Sequence, residues 1–283
     1  MKLIACGDSW VWGAELVDPI EEPIPLFKIG GDQHWREHKP INVEYRNKNR
    51  YIKLFADKIG ATELVDLSQP SISNGSIYKR LLEYLAEWGY LEGKDTSDLF
   101  VSIGWTSPER IEFFFRNPDN EYLRTVYFGP WSFDVDDADP DINKFLKSYA
   151  LFFCHEREFM NRYIREVWQT QTLLKQYNIK YVMHQAFYHF LDIWFTQWDD
   201  KSYREKSMGV ISPGDKKLWD NVDSIRFMHK NENTQSAHNY MREKAEQELG
   251  DSSKAFIVMH PSEYGHKVWA EHMYDYCMEH NLL

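Results

Sequence analysis

Three short apolar runs, each stopping at a glycine-containing turn, constrain this chain more than any other feature. Leu3-Ile4-Ala5-Cys6 stops at Gly7-Asp8-Ser9. Thr62 to Leu67 stops at a small-residue loop that ends in Asn74-Gly75-Ser76. Asp98 to Ile103 stops at Gly104-Trp105-Thr106-Ser107-Pro108. Runs this short, bounded by turn formers, have the length of buried strands. Between them lie two amphipathic stretches that read as helices, Asn49 to Ile59 (closed by Gly60) and Ile77 to Trp88. Strand, helix, strand, helix, strand at this spacing is the pattern of a parallel sheet. All three glycine turns then leave on one edge, the carboxyl edge where open α/β sheets bind ligands. Ser9, Asn74-Gly75 and Gly104-Trp105-Thr106 are therefore expected around one cleft.

A serine at the first of these turns has two chemical uses. Gly7 lets the chain turn sharply, so the Ser9 hydroxyl is expected to point out of the sheet toward solvent. Its backbone N–H is free, because the following helix has not begun to use its own amides. One residue then offers both an attacking oxygen and an oxyanion donor. Asp8 is expected to brace the turn by accepting from backbone amides. Trp10, Trp12 and Trp105 flank the cleft, either as core or as a wall for an acyl or sugar group. Arg110 either holds an anionic substrate or pairs with Glu109 and its neighbours. Cys6 reads as a buried strand residue, with a nucleophilic thiol beside Ser9 as the alternative.

The rest of the chain reads as one domain, residues 1–283, with an insertion. Asp18 to Arg46 is a Pro-, Gly- and charge-rich loop. Its His34 and His38 lack the glutamate placement of a zinc-protease helix. Arg110 to Asn143 breaks the strand–helix rhythm with clustered aromatics (Phe113, Phe114, Phe115, Tyr122, Tyr127, Phe128, Trp131, Phe133) and reads as a cap or arm. The insertion ends in Asp134, Asp136, Asp137, Asp139 and Asp141, without the glycine and distal glutamate of a calcium loop. Phe145 to Tyr177 reads as one long helix or two in series, and Ile179 to Met183 as a fourth strand. Ser212-Pro213-Gly214-Asp215 reads as a turn, and Gln235 to Leu249 as a helix ending at Gly250. A short apolar run, Phe256 to Met259, precedes His260-Pro261-Ser262-Glu263-Tyr264-Gly265-His266 and a closing helix, Lys267 to Glu279.

Composition removes several classes of function. A formal net charge of -11 argues against nucleic acid and anionic membrane surfaces as partners. No apolar run has the length of a membrane span. One lysine and four small or apolar residues before the first turn are too few for a signal peptide, so the expected location is the cytoplasm, or a virus particle. Cys6, Cys154 and Cys277 are too scattered for a disulfide framework or a zinc knuckle. With 16% aromatic residues, some of the rings are expected to line a groove.

Taken together, Gly7-Asp8-Ser9, Gly75, Gly104 and His260-Pro261-Ser262 resemble, in order and spacing, the blocks of the SGNH (GDSL-type) hydrolases. The resemblance spans almost the whole chain. It implies a flavodoxin-like three-layer α/β/α sandwich around a parallel sheet. It also implies ester hydrolysis through an acyl-serine, with Ser9 as nucleophile and His260 as base. The implied oxyanion donors are the backbone N–H groups of Ser9 and Gly75 and the side chain at the asparagine position of block three. Neither metal nor cofactor is implied. Two positions depart from the pattern. Thr106 stands where the family has asparagine, with Asn74 as a substitute donor. Ile257 stands where an aspartate would orient His260, leaving a backbone carbonyl or a carboxylate from elsewhere, such as Asp251 or Asp215, or an alternative Glu263–His266 pair.

The expected function is a serine esterase, acting on a short-acyl ester or an acylated glycan, with Trp10, Trp105 and Arg110 against the substrate. Oligomerisation stays open. The alternative is a catalytically weakened fold of the same class, used as a binding or assembly module through the insertion. A third reading, a nucleotide-binding flavodoxin-like protein, requires more backbone amides than Gly7-Asp8-Ser9 offers to a phosphate.

Overall fold

In the computed structural model the chain runs β1 (Lys2–Gly7), α1 (Ser9–Trp12), α2 (Pro40–Asn49), α3 (Tyr51–Lys58), β2 (Glu63–Asp66), α4 (Asn74–Glu87) and β3 (Leu99–Trp105). It continues through a hairpin of β4 (Ile111–Arg116) and β5 (Leu123–Phe128), then α5 (Pro140–Phe152), α6 (Glu156–Gln176), β6 (Lys180–Gln185), α7 (Pro213–Asp220), α8 (Ala237–Leu249) and α9 (Glu263–Glu279). The structure describes residues 1–17, 40–116, 123–128, 140–152, 156–186, 211–230, 236–257 and 260–283.

The four strands β2-β1-β3-β6, in that order, form one parallel sheet. The expected fourth strand is present as β6, and the three glycine-terminated runs all belong to this sheet. Alternation along each strand divides the core in two. Ile4 and Cys6 of β1, with Val101 and Ile103 of β3, pack under α4, α6 and α7. Leu3 and Ala5, with Phe100 and Val182, pack under α3, α8 and α9. The architecture is thus a three-layer α/β/α sandwich. Both faces of the sheet are covered, which is why the strands read as near-continuous apolar runs.

Several boundaries differ from the sequence reading, each for a local reason. Part of the expected Asp18–Arg46 loop is helical. Helix α2 buries Asn42 and Arg46, a polar face with no apolar stripe to announce it. The Arg46 guanidinium lies 3.5 Å from the centroid of the Trp12 ring and joins α2 to α1. Helix α4 starts ahead of Ile77 because the Ser73 side chain caps it, accepting from Ser76 N. Ser212-Pro213-Gly214-Asp215, read as a turn, opens α7, with Ser212 as cap and Pro213 in the first turn. Helix α9 likewise starts ahead of Lys267, capped by Ser262. The stretch Phe145 to Tyr177 agrees with one of its two readings, two helices in series, as α5 and α6.

The stretch from Arg110 to Asn143, expected to be a cap or arm, contains the antiparallel pair β4–β5, and Phe113 meets Phe145 and Tyr149 of α5 edge to face. His34, His38, Asp134, Asp136, Asp137, Asp139 and Cys154 lie outside the described residues. Among the described residues no cluster of three or more His, Cys, Asp or Glu could hold a metal ion. No described helix is long and apolar enough to cross a membrane.

Candidate active site

The site begins with two glycines. Gly7 and Gly104 are register partners at the ends of β1 and β3. A Cβ on Gly7 would sit 2.1 Å from Val11 Cγ2, and one on Gly104 would sit 2.7 Å from the same methyl. Their bare backbones let Val11 lie directly on the strand ends. The short helix α1, and Ser9 with it, is thereby pressed against the carboxyl edge of the sheet.

Asp8 fixes the turn. It is fully buried and caps α1 by accepting from Trp10 N at 3.0 Å. Its other oxygen accepts from Thr106 Oγ1 at 2.7 Å and faces Arg110 Nη1 at 3.4 Å. The expected bracing role of Asp8 is therefore present, and Arg110 pairs with Asp8. Burial pulls the Arg110 guanidinium below its usual range, and the charges of Asp8 and Glu109 oppose that pull.

Ser9 Oγ lies 2.8 Å from His260 Nε2, across 251 positions of sequence. The expected nucleophile–base pair is brought together. Ser9 is only 4% exposed, so its hydroxyl faces the imidazole and not open solvent as the turn alone suggested. The motif around His260 has a physical explanation at each position. Pro261 bridges antiparallel to Phe256. Ser262 Oγ caps α9 by accepting from Gly265 N at 3.2 Å. A Cβ on Gly265 would lie 2.3 Å from the carbonyl oxygen of Ala255, so only glycine permits this approach. Ile257 N donates to His260 O at 2.9 Å, closing the turn that presents the imidazole.

On its other side His260 meets a carboxylate that the sequence reading missed. Nδ1 lies 3.0 Å from Glu15 Oε1, with side-chain exposures of 19% and 10%. The distance is that of an ion pair, but the contact lacks the alignment of a linear hydrogen bond. Glu15 has a backbone φ of 66°, uncommon for a residue with a Cβ. Its sequence signal was weak: an acid shortly after the serine, beyond the C-capping Gly13 of α1. The substitutes named from sequence are elsewhere. Asp251 caps the turn at Ser253, and Asp215 pairs with Arg165 and Ser212. In the alternative pair, Glu263 accepts from the Tyr45 hydroxyl. His266 is fully buried, accepts from Tyr51 N at 3.2 Å through Nδ1, and is held neutral by burial, its pKa lowered to about 3.

Two expected oxyanion donors are committed to other work. The Thr106 hydroxyl donates to Asp8. The Asn74 amide donates to the carbonyls of Thr106 (3.1 Å) and Ser107 (3.4 Å), while its oxygen accepts from Thr106 N at 2.8 Å. Both residues tie the β3 turn down. Ser9 and Gly75 remain, in the first turns of α1 and α4, where N–H groups have no helical acceptor. Trp10 and Trp105 are core residues and not a substrate wall. Trp10 packs against His238 and Phe256, and Trp105 packs edge to face on Tyr163. Cys6 is buried in the sheet, and desolvation pushes its thiol up, away from nucleophilic use.

Among solved structures the chain is similar to the psychrotrophic esterase EstA from Pseudoalteromonas sp., at 10% identity over 98% of this chain and 97% of that one, with a TM-score of 0.43. It is similar to LAE5, an alpha/beta hydrolase enzyme from the metagenome of Lake Arreo, at 10% identity over 97% and 94%, with a TM-score of 0.46. It is also similar to Axe2, an acetylxylan esterase from Geobacillus stearothermophilus, at 14% identity over 97% and 93%, with a TM-score of 0.43. No curated protein matches the sequence. The chain belongs to the Family of unknown function (DUF6071), whose model matches residues 33–283.

Proposed function

We propose that this chain is a serine ester hydrolase. The observation that carries this is the 2.8 Å contact between Ser9 Oγ and His260 Nε2 at the carboxyl edge of a parallel sheet. A serine hydroxyl is a poor nucleophile until a base takes its proton. In the proposed reaction Oγ attacks the ester carbonyl as its proton passes to Nε2. The oxyanion that forms is met by the backbone N–H groups of Ser9 and Gly75. His260 returns the proton to the departing alcohol, which leaves an acyl-serine. Water then attacks the acyl carbon, giving its proton to Nε2, and the acid departs as Ser9 recovers its hydrogen.

The low exposure of Ser9 supports a short acyl group, acetyl above all. Support for a carbohydrate as the alcohol comes from the aromatic cluster of Phe113, Phe145 and Tyr149. That cluster starts just beyond Arg110, which touches Asp8. A second reading, a binding module on a weakened hydrolase framework, is favoured by the commitment of Thr106 and Asn74 to structure. Each missing oxyanion donor costs about 3 kcal/mol of transition-state stabilisation.

A fluorophosphonate probe tests both readings. We expect stoichiometric labelling of the wild-type protein, none in Ser9→Ala, and slow labelling in His260→Ala. Hydrolysis of p-nitrophenyl acetate should then exceed that of the octanoate. A folded wild-type protein that takes no label would overturn the hydrolase reading and leave the binding module.

A further inference from the structure

We propose that Glu15 is the acid of this site: it holds His260 as the Nδ1–H tautomer and stabilises the imidazolium once Ser9 gives up its proton. The catalytic half of this inference rests on the hydrolase reading, while the tautomer half does not. Ser9 and Glu15 then leave the same short turn, and only the base comes from the other end of the chain.

Four observations support the assignment. Glu15 Oε1 is 3.0 Å from Nδ1 while Nε2 is on the serine, so the imidazole is held from both sides. Nδ1 is buried and has no hydrogen-bond partner among the described residues, so the carboxylate is the group within reach of its proton. The remaining acids near the site have other tasks: Asp8 holds Trp10 N and Thr106, and Glu263 holds Tyr45.

The fourth observation is the backbone. Gly13, itself left-handed with φ of 82°, ends α1. The N–H groups of Gly13 and Ala14 both return to the Ser9 carbonyl at 2.9 Å, and Leu16 N donates to Gly13 O. This closed turn holds Glu15 at positive φ, a conformation that costs a residue with a Cβ about 1 kcal/mol. Strain of this kind persists where the surroundings over-determine it, and it concentrates at functional positions. The acid is thus anchored to the backbone of the residue whose chemistry it would support. The loose alignment of the Nδ1 contact fits a resting site, since catalytic hydrogen bonds often tighten only with substrate bound. Among the described residues, Glu15 from the α1 turn and neutral His266 from α9 are the titratable groups that act on His260, with Arg50 beyond against His266.

The test compares Glu15→Gln, Glu15→Gly and Glu15→Asp with Asp251→Asn as a control. In Glu15→Gln, kcat for p-nitrophenyl acetate should fall about ten-thousandfold, by analogy with loss of the triad carboxylate, with KM within about threefold. Glu15→Asp should restore part of the rate, and Asp251→Asn should keep all of it. Glu15→Gly removes the backbone strain with the carboxylate, so it should be at least as stable as wild type and equally inactive. A residue with a merely structural role would not separate stability from turnover in this way. Independently of turnover, the imidazole 15N resonances of His260 should report the Nδ1–H tautomer in the wild type and a mixture in Glu15→Gln. An unchanged tautomer would overturn the proposal whether or not the protein hydrolyses esters. Wild-type turnover that survives Glu15→Gln would overturn it while sparing the hydrolase reading. A wild type without Ser9-dependent turnover would instead overturn that reading and the catalytic half with it, leaving the tautomer to decide the rest.

Discussion

The carboxyl ends of β1 and β3 form two rims of the site, each a strand ending in a glycine turn, but they differ in how their polar groups are used. On the β1 rim, Ser9 Oγ and both ring nitrogens of His260 meet one another and Glu15, and His260 keeps some exposure. On the β3 rim, Thr106 is fully buried and both its backbone and its hydroxyl are bonded inward, to Asn74 and Asp8. In the proposed reaction one rim passes a proton, and the other is tied down by its own hydrogen bonds. The lesson is that the same glycine turn leaves its polar groups facing one another or bonded inward according to which side chain follows it. A hydroxyl on a short arm at position 106 reaches back to Asp8.

The largest effect should come from breaking the rigid rim. Asn74→Ala leaves Thr106 N buried without a partner, while Thr106 O keeps Gln185 Nε2 and Ser107 O keeps Arg110 N. At 1–3 kcal/mol for the unsatisfied N–H, with about 1 kcal/mol for the bonds lost at the two carbonyls, we predict a loss of about 3 kcal/mol in urea unfolding. Ser9→Ala should cost almost no stability and all labelling. Folded Asn74→Ala should still take the fluorophosphonate. If instead it folds normally and fails to label, the comparison breaks, because Asn74 would then belong to the oxyanion site.

How much of this was readable in advance differs between the rims. The parallel sheet, its order of glycine turns and the bracing by Asp8 were legible, because strand-length runs and a turn aspartate carry their geometry with them. The Ser9–His260 pair, 251 positions apart, was legible only through the family resemblance. The commitments of Asn74 and Thr106 were not legible, since they depend on partners 32 and 98 positions away. Helix α2 escaped because its buried face is polar, Asn42 and Arg46. Glu15 escaped because the carboxylates named, Asp215, Asp251 and Glu263, all lie in the C-terminal part of the chain, whereas the fold supplies one from the serine's own turn. Trp10 and Trp105 looked like a cleft wall because each adjoins a cleft residue, but the helical step and the strand alternation turn both side chains into the core.

A smaller effect separates the two histidines of the C-terminal block. His260 is partly exposed beside Ser9, while His266 is buried and its pKa is lowered to about 3 by desolvation, with His260 and Arg50 adding to the effect. A histidine with a depressed folded pKa contributes its full stability above the unfolded value of about 6.5. As pH falls below that value the unfolded chain takes up the proton and the folded one does not. Between pH 7 and pH 5 this costs about 2 kcal/mol. His266→Gln keeps an acceptor for Tyr51 N and removes the titration. We predict that its stability falls less steeply with acid than that of the wild type, by about that amount. Parallel slopes in the two proteins would mean that His266 is protonated in the folded state and that the two histidines do not differ as described.

The smallest expected effect joins the rims at Gly75. Glu166 of α6 places Oε1 3.1 Å from where a Cβ on Gly75 would lie, so glycine is what leaves room for the acid beside the first turn of α4. Burial raises its pKa to about 7, and Arg162, 4.0 Å away, offsets this only in part. The sign is opposite to that of His266. Below the unfolded value near 4.5 both states are protonated and nothing is lost. As pH rises toward 7 the unfolded chain releases its proton first, so the folded state loses stability, and above 7 the penalty is constant. Glu166→Gln should therefore gain about 1 kcal/mol at pH 8, less than the full linkage value because the amide is desolvated too, and nothing at pH 4. If the Gly75 N–H receives the oxyanion, removal of a negative charge beside it should also raise the rate of fluorophosphonate labelling at pH 8. A stability gain without a change in labelling would place Glu166 and Gly75 with the rigid rim, leaving Ser9 N–H to meet the oxyanion alone.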